Sequence, residues 1–184
     1  MEVEVARLDE VDAVVSRASL LSRLFTGVRA IVVVGSYAYG RPTMDSDVDL
    51  VVAVDDRDAW LDQDSWVGHV MGGPYRVVRE QDWGPLLERR CRSGSGFEVE
   101  LGVVTPEWFA LPVDPGTARV LRDGCRVVTD VDGLVRNALY ALALPTRDWQ
   151  GSREASGGTA GSADQEDGER DQADHDDHHP QHGR

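Results

Sequence analysis

The sequence contains no lysine, so its 19 basic residues are all arginines, and 33 acidic residues outnumber them. The net charge of −14 disfavours general binding to nucleic acid, which needs a cationic face to displace counterions. A nucleotide ligand is still compatible with this charge, because bound metal ions supply positive charge locally. We therefore expect no nucleic-acid partner.

Cysteines and long apolar runs are also scarce. Cys91 and Cys125 provide neither the spacing of a zinc site nor a disulfide framework. No apolar run is long enough to span a bilayer, and the N-terminal residues MEVEVARLDE are acidic where a signal peptide is basic and then apolar. The expectation is a cytoplasmic protein with no membrane partner.

The last part of the chain differs in composition from the rest. Residues 150–184 contain no large apolar residue and are rich in Gly, Ser, Asp and His. Such a segment cannot bury enough apolar surface to offset the entropy lost on ordering. We predict a folded domain over residues 1–149, with a net charge of −8, and a disordered acidic tail over residues 150–184, with a net charge of −6.

Apolar periodicity divides the folded part into helices and strands. Residues 8–24 have the three- and four-residue spacing of an amphipathic helix, whereas residues 86–92 are ambiguous. The order of helix, strand, strand, helix, strands and helices predicts an α+β fold with a mixed β-sheet flanked by helices. The predicted strands cover residues 28–34, 47–54, 75–79, 97–104 and 125–128.

The most specific pattern is VGSYAYGRPTMDSDVDL, at residues 34–50. Its buried strand ends at Gly35-Ser36, where glycine lets a phosphate approach the backbone and a new helix offers free N–H groups. Asp47 and Asp49 open the next strand and point the same way. Adjacent carboxylates repel each other unless cations bridge them, and hard oxygen ligands suit Mg²⁺. This arrangement indicates a two-metal site for phosphoryl or nucleotidyl transfer.

A third acidic element lies in FEVEL, at residues 97–101. Glu98 and Glu100 share one strand face, while the apolar residues share the other. A site that faces Asp47 and Asp49 would explain acids on an otherwise apolar strand. Glu100 is the favoured third carboxylate, because its apolar flanks make it costlier to leave without a cation, and Glu98 is kept as the alternative.

These residues together resemble the nucleotidyltransferase superfamily that includes DNA polymerase beta. The shared pattern is a hydrophobic residue, Gly-Ser, ten residues, Asp-hydrophobic-Asp, and a later acid between hydrophobic residues. SDVDLVV, at residues 46–52, is typical of aminoglycoside and lincosamide nucleotidyltransferases and of the minimal nucleotidyltransferases paired with toxins. The resemblance covers roughly residues 28–104 and implies the polymerase-beta-like fold.

The resemblance also implies which residues act. Asp47, Asp49 and Glu100 (or Glu98) would be catalytic carboxylates and ligands of two Mg²⁺ ions, and Gly35 and Ser36 would contact the triphosphate. From the residues alone, Ser46 is expected to cap or orient the aspartates, and Arg41 lies close enough to reach a phosphate. Arg89, Arg90 and Arg92 are interpreted as a solvated face, with triphosphate or pyrophosphate binding as the alternative. Trp83 and Trp108 are interpreted as packing residues.

The implied enzyme transfers a nucleoside monophosphate from a nucleoside triphosphate, with ATP favoured, to a hydroxyl acceptor and releases pyrophosphate. We favour an aminoglycoside-transferase-like enzyme whose small-molecule or protein acceptor the sequence does not identify. The alternative is a minimal nucleotidyltransferase antitoxin, or a nucleotide-responsive binding module, that acts on a protein partner.

Overall fold

A computed structural model describes residues 3–155, in which a six-stranded β-sheet lies between two layers of helices. Runs of β-branched residues form the two central strands, and all but one residue in each is buried. The strands are β1 (Val28–Val34), β2 (Val48–Val54), β3 (Tyr75–Asp82), β4 (Leu86–Ser93), β5 (Glu98–Val104) and β6 (Cys125–Asp130).

The helices are short, apart from the first. Among residues 3–155, none combines the length and the apolar character needed to cross a membrane. A 3₁₀ helix covers Pro106–Phe109. The α-helices are α1 (Val5–Ser19), α2 (Leu21–Leu24), α3 (Gly35–Tyr39), α4 (Arg57–Leu61), α5 (Ser65–Met71), α6 (Pro115–Arg122), α7 (Leu134–Ala141) and α8 (Ser152–Ala155).

The strand order is β3-β4-β5-β2-β1-β6, and only the β2–β5 pair is parallel. This confirms the predicted α+β class and the mixed sheet flanked by helices. The ambiguous residues 86–92 lie in β4, where alternating charged residues pair with β3 and β5. Their charges hide the apolar alternation on which strand prediction depends.

Each face of the sheet has its own hydrophobic core. On β2, Leu50 and Val52 face the core formed with α1 and α5, whereas Val51 and Ala53 face the core formed with the 3₁₀ helix, α6 and α7. This alternation continues backwards to Asp49, which therefore faces the second core. Both faces of the central strands are covered, so polar side chains are accommodated only near the strand ends.

The described chain continues past the predicted domain boundary. The backbone N–H of Trp149 donates to the Val127 carbonyl at 2.8 Å. Ser152, in α8, is fully buried, and its hydroxyl donates to the Leu8 carbonyl at 2.9 Å. Its backbone N–H donates to Asp12 Oδ1 at 2.7 Å, so this turn of helix packs on α1. The tail predicted over residues 150–184 lies outside the described residues from 156 onward.

Candidate active site

Strand pairing brings three acidic positions to one end of the central sheet. Asp49 is paired with Val34 of β1 on one side and with Glu100 of β5 on the other. Asp47 comes two residues before Asp49, so the two side chains share a strand face. The parallel pairing of β2 with β5 therefore places Glu100 beside both aspartates.

The carboxylate oxygens of Asp47, Asp49 and Glu100 lie within 4.8 Å of one another, and all three residues are half-buried. Three carboxylates this close repel one another, and a cation between them removes the repulsion. A set made only of oxygen ligands, with one side open to solvent, suits Mg²⁺, which keeps some of its water ligands. The described residues therefore fit a divalent cation at this position.

Asp49 has the most perturbed electrostatic environment of the three. Burial, and next the neighbouring charge of Asp47, raise the pKa of its carboxyl, and Arg90 opposes the rise; the resulting pKa is about 7. No hydrogen bond or ion pair to the Asp49 carboxylate is found within residues 3–155. A half-buried carboxylate without a protein partner is available to a metal ion, and its perturbed pKa is typical of functional sites.

Arg79 Nη2 lies 3.5 Å from Glu100 Oε1, and among the described residues Arg90 is the cation that contacts two acids of this cluster. It stands opposite Glu100 in the β4–β5 pairing, and its Nη2 forms ion pairs with Glu100 and, at 3.1 Å, with Asp47 Oδ2. The buried Nε of Arg90 has no hydrogen-bond partner within the described chain. The interpretation of Arg90 as a solvated residue is therefore wrong, and the alternation of β4 explains why it faces the acids.

The other two arginines of that segment also have partners. Arg92 stands opposite Glu98 and its Nε donates to Glu98 Oε1 at 2.6 Å, while Arg89, on the opposite face, pairs with Glu80 and Asp64. The interpretation of the cluster as a solvated face is wrong for Arg89 as well, because Arg89 is buried and ion-paired.

Glu98 lies two residues before Glu100 on the same face of β5, outside the acidic cluster. The hydrogen bond from Arg92 lowers the pKa of Glu98, and Arg90 Nη1 lies 3.3 Å from its second oxygen. Glu98 is thus neutralised by arginines, whereas Glu100 shares the space of Asp47 and Asp49. The structure places Glu100, and not the alternative Glu98, in the three-carboxylate cluster.

The Gly35-Ser36 turn packs directly on Asp49. Gly35 has a φ of +69°, and a Cβ on this residue would overlap Asp49 Oδ2. Gly35 is also the first residue of α3, so the free N–H groups of this helical turn lie beside the carboxylates. Ser36 is the second residue of α3 and is half-buried.

Gly35→Ala is expected to lower the free energy of unfolding by about 1–3 kcal/mol and to displace the Asp49 carboxylate, because a Cβ disfavours a positive φ and meets Oδ2. Urea unfolding measures the loss. Gly96→Ala is the matched control, since Gly96 also has a positive φ, of +87°, but a Cβ there has no neighbour within 4 Å. Equal stability of the two variants would contradict the proposed packing of Gly35 on Asp49.

Ser46 lies in the turn before Asp47, and Arg41 lies away from the acidic cluster. Ser46 Oγ accepts a hydrogen bond from the Thr43 backbone N–H at 2.9 Å, and so closes the turn that leads into Asp47. The Arg41 guanidinium lies 5.0 Å from the centre of the Tyr39 ring and lines a separate pocket. The structure does not bring Arg41 to the acidic cluster, and the nucleotide-binding roles of both residues stay predictions.

A pocket of about 380 Å³ opens beside Asp49 and Glu100. Its walls include Trp108, which is buried, and Trp83, which is 58% exposed at the β3–β4 turn. Glu88 also lines it and accepts a hydrogen bond from Trp83 Nε1 at 3.1 Å. Glu88 was not predicted at the site, and both tryptophans were predicted to be packing residues, because the position of the β3–β4 turn depends on strand pairing.

A comparison with known protein families matches the segment that carries Gly35, Asp47 and Asp49. Residues 18–82, about a third of the chain, match the family model described as a nucleotidyltransferase domain. No curated protein matches the chain.

Several solved structures match part of the chain. The Cid1 poly(U) polymerase is 18% identical, with a TM-score of 0.42 over 55% of this chain and 32% of its own. An aminoglycoside 6-adenyltransferase from Bacillus subtilis is 13% identical, with a TM-score of 0.37 over 54% and 35%. Terminal uridylyl transferase 4 from Trypanosoma brucei is 15% identical, with a TM-score of 0.37 over 57% of this chain and 36% of its own. The chain therefore spans about a third of the length of each of these proteins. The family model agrees with the resemblance inferred from the sequence: residues 18–82, which include Gly35, Ser36, Asp47 and Asp49, are similar to a nucleotidyltransferase domain.

Proposed function

We propose that the protein is a metal-dependent nucleotidyltransferase, which moves a nucleoside monophosphate from a nucleoside triphosphate to a hydroxyl group and releases pyrophosphate. The main support is that oxygens of Asp47, Asp49 and Glu100 lie within 4.8 Å of one another, beside the Gly35 turn. When bound there, Mg²⁺ ions would neutralise phosphate charge and stabilise the attacking and leaving oxygens.

Each residue has a role that follows from its position. Asp47 and Asp49 would hold the metal ions, and the backbone N–H groups of Gly35 and Ser36 would hold the phosphates. Glu100 lies on the side of Asp49 away from β1, so it would face the acceptor, orient its hydroxyl and accept its proton. Catalysis would come mainly from positioning and charge neutralisation.

The pocket beside Glu100 indicates what size of acceptor the site could bind. It holds about 380 Å³ and shares Asp49 and Glu100 with the acidic cluster, which supports a small-molecule acceptor. We therefore keep an aminoglycoside-transferase-like enzyme, with ATP as the favoured donor, ahead of the antitoxin or binding module that acts on a protein. A protein acceptor would not require such a pocket.

Nucleotide binding is the first test. Calorimetry with ATP and Mg²⁺ should show binding to the wild-type protein and none to Asp47→Asn, because the metal loses a ligand. Asp45→Asn is the matched control, since Asp45 is exposed, lies two residues away and loses the same charge. Absence of binding by the wild-type protein to every Mg²⁺–nucleoside triphosphate would contradict the proposed function.

Transfer is the second test. ATP labelled at the α-phosphate should pass its label to one member of a panel of hydroxyl-bearing antibiotics, with loss of the reaction in Asp47→Asn. Label on a co-purified protein would instead support the alternative enzyme that modifies a protein partner. Binding without transfer to either would support the nucleotide-responsive module.

A further inference from the structure

A second pocket, of about 370 Å³, lies where the ends of α3, α6 and α7 meet. We call it the arginine pocket: Arg41, Arg122 and Arg147 line it together with the apolar side chains of Leu121, Leu139 and Leu144. It shares no lining residue with the pocket beside Glu100 or with the polar pocket around Asp47. It is therefore separate from the acidic site.

Close backbone packing fixes the walls of the arginine pocket. Gly124, in the turn between α6 and β6, has a φ of +126°, and a Cβ there would lie 2.8 Å from the backbone nitrogen of Tyr39. Only glycine allows this approach. Arg126 Nε, which is buried, donates to the Ala38 carbonyl at 3.2 Å. The end of α3 is thereby held against the α6–β6 turn, so the pocket has a defined shape.

The charge inside the arginine pocket is unusual for this protein. Of the arginines in residues 3–155, six have no hydrogen-bond or ion-pair partner for the guanidinium, and three of these six line this pocket. The three side chains are exposed at its rim, in a domain whose net charge is negative. Acidic residues outnumber arginines in this domain, yet within residues 3–155 none forms an ion pair with these three guanidinium groups.

Three guanidinium groups around one cavity favour an anion with several oxygens. The planar fork of arginine matches phosphate through two parallel hydrogen bonds, and it binds phosphate without a metal. The leucines and the exposed ring of Tyr39 give the cavity an apolar part, which suits a molecule larger than a single ion. Its volume lies within the range of small-molecule sites.

We propose that the arginine pocket is a second ligand site, which binds a small molecule bearing phosphate groups and does so without a divalent metal. This goes beyond the proposed transferase site, and neither proposal requires the other.

Inorganic pyrophosphate in the presence of EDTA is the probe, with calorimetry on the full chain. The wild-type protein should bind it, and Arg122→Gln should weaken binding at least tenfold, because a charged hydrogen-bond donor is lost. Arg119→Gln is the matched control: Arg119 is also an exposed, unpaired residue of α6, but it lies outside the pocket. Asp47→Asn should bind pyrophosphate as the wild type does.

Three results would overturn the proposal. One is no pyrophosphate binding by the wild-type protein in EDTA. Another is equal weakening by Arg119→Gln and Arg122→Gln, which would show a general charge effect. The last is binding that appears only with Mg²⁺ and is lost in Asp47→Asn, which would place pyrophosphate in the acidic site. None of these outcomes depends on nucleotide transfer, so the two proposals fail separately.

Discussion

Glu100→Gln is expected to lower the rate of nucleotidyl transfer by roughly 10²–10⁴-fold, the range of a general base, while nucleotide binding largely survives. The variant keeps the size of the side chain and removes the charge that Glu100 contributes beside Asp47 and Asp49. The two aspartates would still hold the metal and the triphosphate. Single-turnover kinetics at saturating Mg²⁺ and ATP separate the chemical step from binding.

Glu98→Gln is the matched control for this prediction. It makes the same change on the same strand face, but Glu98 lies among Arg90 and Arg92 and outside the three-carboxylate cluster. We expect less than about a tenfold change in rate, because Glu98 would act only through Arg90. An inactive Glu98→Gln together with an active Glu100→Gln would show that the assignment of the third carboxylate is wrong.

Asp49→Asn is expected to stabilise the metal-free protein above neutral pH. The pKa of Asp49 is raised from 3.8 to about 7 in the folded state, mainly by burial. Between these two pH values the folded state keeps a proton that the unfolded state has lost, so stability falls as pH rises and the loss is complete above pH 7. A shift of this size corresponds to about 4 kcal/mol, which the asparagine variant avoids.

The measurement is the difference in free energy of unfolding between Asp49→Asn and wild type, in EDTA. This difference should be near zero around pH 4 and should increase in favour of Asp49→Asn until about pH 7, the raised pKa of Asp49. Asp45→Asn, which removes the same charge at an exposed position, is the matched control. Mg²⁺ at pH 8 should then stabilise the wild type and leave Asp49→Asn unchanged, since a ligand stabilises only the state that binds it. A pH-independent difference would contradict the buried, unpaired state of Asp49.

The pair of aspartates could be predicted because its geometry is local. Residues two apart on one strand share a face, and the Gly-Ser turn that ends the preceding strand returns to the same sheet end. The choice between Glu98 and Glu100 is different, because alternation gives both the same face. It depends on the register of β5 against β2, in which Asp49 pairs with Glu100, and that register is set by contacts far apart in the sequence.

The surroundings of the acids could not be predicted for the same reason. Arg90 lies in a segment so rich in charge that its strand was ambiguous, and its partners come from β5 and from the loop before β2. Glu88 and Trp83 reach the site only because the β3–β4 hairpin lies next to β5. The positions of these three residues relative to the acids depend on how the strands pair, which the local sequence does not determine.

The position of Arg90 makes metal binding an exchange of cations. A divalent ion can use Asp47 and Glu100 fully only if the guanidinium leaves them, which reduces the affinity for metal alone. The phosphates of an incoming nucleotide offer that guanidinium a new anionic partner and so lower the free-energy cost of the exchange. If the proposed function holds, metal and nucleotide should each raise the affinity for the other by the same factor, as thermodynamic linkage requires. The protein would then keep Asp47 and Glu100 paired with arginine in the absence of substrate and take up metal mainly together with substrate.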